Sequence, residues 1–154
     1  MDLLIDFIRN CGEMSTGQTL STQQIWQTLL EDLPEQTQGL QVKPDYFIGT
    51  GQGEIQGIGV NNFKPRLLFA AAIDGLAQAY AKTIEAFRKI EPGLQRILLC
   101  GGRLAKLERL QKALECCTGL QVVCSSKQDE ALYGLAKLAA EQEEKIFDYK
   151  EISR

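Results

Sequence analysis

Residues 96–126 read RILLCGGRLAKLERLQKALECCTGLQVVCSS: an apolar run, a glycine pair, a helical stripe, a lone glycine and a second apolar run. RILLC (96–100) and LQVVCSS (120–126) have the length and β-branched or aliphatic content of buried strands. Between them, 104–118 keeps helical spacing, and Gly119 stands where a left-handed residue closes a helix. A strand joined through a helix to a neighbouring strand makes a right-handed parallel crossover. With a further helix over 129–141, residues 96–141 are therefore expected to form a βαβα unit, both strands covered on both faces as parallel sheets require. The expected fold class is α/β.

Upstream, the apolar stripe Leu68, Ala72, Leu76, Ala79, Tyr80, Thr83, Ile84 and Phe87 predicts one long helix from Pro65 to Ile90. Asn61 and Asn62 offer N-caps, Pro65 suits the first turn, and Pro92-Gly93 ends the helix. Gly75 inside it costs roughly 1 kcal/mol against alanine unless another backbone packs closely there. Ser21 and Gln24 form a capping-box pattern ahead of Ile25, Trp26, Leu29 and Leu30, predicting a helix over 22–33 with Trp26 in the core. Residues 3–10 form a short amphipathic piece followed by a polar loop from Cys11 to Leu20. Pro34 opens a polar linker to Tyr46-Phe47-Ile48 and the glycine-rich GTGQGEIQGIG. The stretch 49–53 lacks the Lys-Ser/Thr ending of a phosphate loop and reads as a hairpin or loop.

The composition excludes several classes. The chain has 154 residues, a net charge of −3 and no histidine, so the commonest general base and transition-metal ligand is missing. Lys and Arg are scattered, which argues against a nucleic-acid footprint. No apolar run approaches a membrane span, and acids at positions 2 and 6 do not suit a signal peptide, so a cytoplasmic location is expected. The five cysteines lack C-x-x-C spacing and read as small buried hydrophobes in a reducing compartment. Cys116-Cys117 would serve redox chemistry only with an exposed, low-pKa thiolate. Asp45, Glu54, Asp74 and Asp129 have no base or second carboxylate paired with them by spacing and read as structural acids.

A glycine pair after a buried strand lets a backbone approach a ligand at the carboxyl end of a sheet, or simply makes a tight turn. The wider run 96–140, together with DYFIGTG…GIGVNNFKPRLLFAAAIDGLAQAYAKTIEAF, resembles the end of the FGGY family of carbohydrate kinases. The shared features are the strand, glycine turn, helix ending near Thr-Gly, apolar strand and Ala/Gly-rich last helix, preceded by the long Ala-x-x-x-Gly helix (Ala71 to Gly75). The likeness is greatest to the family's ketose kinases, on STQQIWQTLL and LQVKPDYFIGT, and covers most of residues 1–141.

That resemblance implies an actin-like, ribonuclease-H-like ATPase domain, here an incomplete C-terminal one with a long helix and a terminal βαβα unit. It implies ATP and magnesium as cofactors and a glycine turn, Gly101-Gly102, packed on the adenosine. Arg103 stands where the family usually has a small residue, and Leu107 where it places Asn or Ser near the adenine; both belong to the implied nucleotide site. Gly134 matches a packing glycine of the last helix. Residues 1–63 correspond to a helical and loop region, 64–141 to the nucleotide side and 142–154 to a charged tail. The matched part lies after the family's catalytic aspartate and its phosphate-holding Gly-Thr turn, and the N-terminal sugar-binding domain is not in this chain. The expected partners are a nucleotide and a sugar-binding domain or partner chain, a second copy included, with neither nucleic acid nor membrane. A degenerate, non-catalytic interaction module is the alternative.

Overall fold

The computed structural model describes residues 1–44, 52–100, 107–125, 132 and 135–139. Its elements are α1 (Asp2–Thr16), α2 (Thr22–Leu30), β1 (Gln41–Lys43), β2 (Glu54–Gln56), α3 (Pro65–Ile90), β3 (Arg96–Leu99), α4 (Glu108–Thr118) and β4 (Gln121–Cys124).

Helix α3 spans the residues its stripe predicts, and its two halves differ. Leu67 through Ile73 are all buried, as in a helix apolar on every side and therefore covered on every side. One flank packs with Ile5 of α1, Ile25, Trp26 and Leu29 of α2, and Leu110 and Leu114 of α4. Trp26 meets Phe69 edge-on, ring centroids 5.1 Å apart, a favoured aromatic geometry. The opposite flank, through Leu67, Leu68, Ala71 and Ala72, packs under Leu40 and Val42. The second half of α3 leaves this enclosure, and Tyr80, Phe87 and Ile90 are exposed.

Strand β1 lies in the stretch expected to be a linker. It pairs antiparallel with β2, Val42 opposite Ile55, and Val42 is buried. Residues 49–51 of the expected hairpin or loop, with Asp45, lie outside the described residues. The polar composition of 35–43 hid the strand because only Leu40 and Val42 carry its apolar side. β1 crosses α3 at Gly75, where an added Cβ would stand 1.8 Å from the Val42 carbonyl oxygen. The glycine in the helix thus has the close backbone neighbour its position demands. Asn62, expected as a helix cap, is instead buried. Its Oδ1 accepts from the Gly59 amide (2.7 Å) and its Nδ2 donates to the Gly57 and Gln38 carbonyls (2.8 and 3.0 Å), tying two turns together. Lys64 stands at the N-cap of α3 without a side-chain cap.

Other local expectations divide. The Ser21–Gln24 capping box forms, although α2 ends at Leu30, three residues short of the predicted end. Residues 11–16, expected as loop, continue α1. Ser15 and Thr16 hydroxyls donate to carbonyls of the preceding turn, and Gly17, at φ 68°, closes the helix. Gly119 closes α4 at φ 66°. Strands β3 and β4 are parallel, with Arg96, Ile97, Leu98 and Leu99 opposite Gln121, Val122, Val123 and Cys124. Leu99 and Val122 pack on the core, whereas Leu98 is 62% exposed; most of the helix expected over 129–141 lies outside the described residues.

Two glycines in helices test this packing with opposite signs. Gly75→Ala is expected to destabilise the chain by about 1–3 kcal/mol, because overpacking against fixed backbone outweighs the propensity gain. Gly12→Ala, with open space around its Cβ position, is expected to stabilise by about 0.5–1 kcal/mol. Urea denaturation of the two variants measures both.

Candidate functional site

The turn expected to meet a ligand begins past the carboxyl end of β3. The Ser125 amide donates to the Leu99 carbonyl at 2.8 Å, so the carboxyl ends of β3 and β4 lie side by side, where open α/β sheets bind ligands. Gly101, Gly102 and Arg103 lie outside the described residues, as do Asp129 and Gly134. Leu107 is described. It is the N-cap of α4, is only 9% exposed, and belongs to the core shared by α1, α2, α3 and α4. Its side chain therefore packs inward, and as a leucine it offers no hydrogen bond to a base.

Beside Leu107 an open groove of about 730 Å³ runs along α4, with Leu33, Glu35, Asp74, Arg109 and Cys117 among its walls. Its charges are largely engaged. Arg109 grips Asp74 with two bonds, Nε to Oδ1 at 2.8 Å and Nη2 to Oδ2 at 2.6 Å, and its Nη1 donates to the Pro34 carbonyl. One guanidinium thus fastens α4 to α3 and to the chain leaving α2. The planar fork of arginine suits this task, which a lysine cannot reproduce. Asp74 is accordingly a structural acid, as its sequence context suggested. Its partner was not legible, since 35 residues separate the two and no motif links them. Lys112 stands 3.6 Å from Glu108, one helical turn away, an exposed pair of small energetic weight.

Glu54, another acid considered from sequence, sits on exposed β2. Hydrogen bonding from Lys43 (2.6 Å), and then from Gln56, holds its carboxyl below the usual range, a cross-strand pair instead of a proton donor. The cysteines depart from expectation: Cys11, Cys100, Cys116 and Cys117 are exposed and Cys124 is half-buried. Apolar neighbours in sequence suggested burial, but helix and strand periodicity turns these positions outward. Cys117 does not have the activated thiolate that redox chemistry requires. Partial burial, then the neighbouring Cys116 and Asp74, push its thiol up.

No family model, curated protein or solved structure matches this chain. Among the described residues no helix is long and apolar enough to cross a membrane.

The Arg109 clamp predicts a large coupling. Arg109→Lys is expected to lower stability by about 1–3 kcal/mol, and a double-mutant cycle with Asp74→Asn to return a coupling of similar size; additive losses would show the pair to be independent. Because the folded state favours the protonated Cys117 thiol, its alkylation is expected to rise through a pH above the ordinary cysteine range. Iodoacetamide labelling resolved at Cys117 by tandem mass spectrometry across neutral to alkaline pH measures this.

Proposed function

We propose that the chain is the C-terminal, nucleotide-side part of a cytoplasmic carbohydrate kinase that transfers phosphate from ATP to a ketose, and that it does not catalyse this transfer alone. The supporting observation is the parallel β3–α4–β4 crossover, with Gly101-Gly102 coming in the sequence after Leu99 and Cys100. In this reading the glycine pair meets adenosine, and Arg103 stacks on the base or reaches a phosphate. Among the described residues no three His, Cys, Asp or Glu side chains gather as a metal site. In this reading magnesium comes to the site with the ATP phosphates.

A second reading, a non-catalytic interaction module of the same fold, draws on a specific observation. Leu107, at the position where the family places a polar group near the adenine, is packed into the core.

Thermal denaturation with and without magnesium-ATP separates the two. A ligand at about a hundred times its Kd stabilises the native state by about 2.7 kcal/mol. A rise in Tm that Gly102→Val abolishes is expected under the first reading. A folded chain whose Tm stays constant at millimolar nucleotide belongs to the second. Coupled assay of ADP release with ketoses is expected to give no turnover from the chain alone, and normal turnover would overturn that part of the proposal.

A further inference from the structure

We draw no further inference here: the strongest candidate, the apolar groove of about 610 Å³ between α1, α2 and the start of α3, carries Lys64 and Arg66 on its walls, but Arg66 is already held by Asp32 and nothing in the structure shows what covers the groove.

Discussion

The structure depends on a single close approach, the crossing of β1 over α3 at Gly75. Residues 67–73 of α3 are apolar around the whole circumference and must be enclosed. Three helices enclose one flank, and the β1–β2 pair encloses the other. That pair can settle on Leu67, Leu68, Ala71 and Ala72 only if its backbone comes down onto the helix. A side chain at position 75 would occupy the place of the Val42 carbonyl. Small residues at 70–72, 75 and 77 give α3 the slim profile that permits burial from both sides.

Polar ties hold the enclosing pieces in place. Asn62 satisfies all its hydrogen-bonding groups with backbone from two turns, the arrangement that makes a buried amide stabilising instead of costly. Arg109 does the same for the helical flank, joining α4, α3 and the end of the α2 region through one guanidinium. Among the described residues no buried side-chain polar atom lacks a partner. The core that these ties border also contains Leu107, the N-cap of α4, in one cluster with Trp26 and Phe69.

Much of the secondary structure was legible because its signals are local. The stripe and proline placement gave the bounds of α3, the Ser21–Gln24 box gave the start of α2, and Gly119 gave the end of α4. What failed to read was equally physical. Strand β1 hides in a polar run because one covered face of a three-residue strand needs few apolar residues. The continuation of α1 through Gly12 rests on Ser and Thr hydroxyls turned back on their own helix, residues that equally favour loops. The exposure of four cysteines follows from which face of each element meets the core, a property of neighbours rather than of composition. Of the candidate site, the parallel strands β3 and β4 and the end of α4 were legible, and the inward packing of Leu107 was not.

By itself the sequence determined the bounds of α3, the start of α2 and the end of α4, that two apolar strands join by a helical crossover, and that Gly75 must meet another backbone, since each follows from capping, periodicity or steric need within a few residues. Only the tertiary structure decided that β1 is that backbone, that Asp74 belongs to Arg109, and that Leu107 packs into the core. These depend on contacts between residues tens of positions apart, and no local pattern encodes which partner a buried charge or a bare helix backbone will meet.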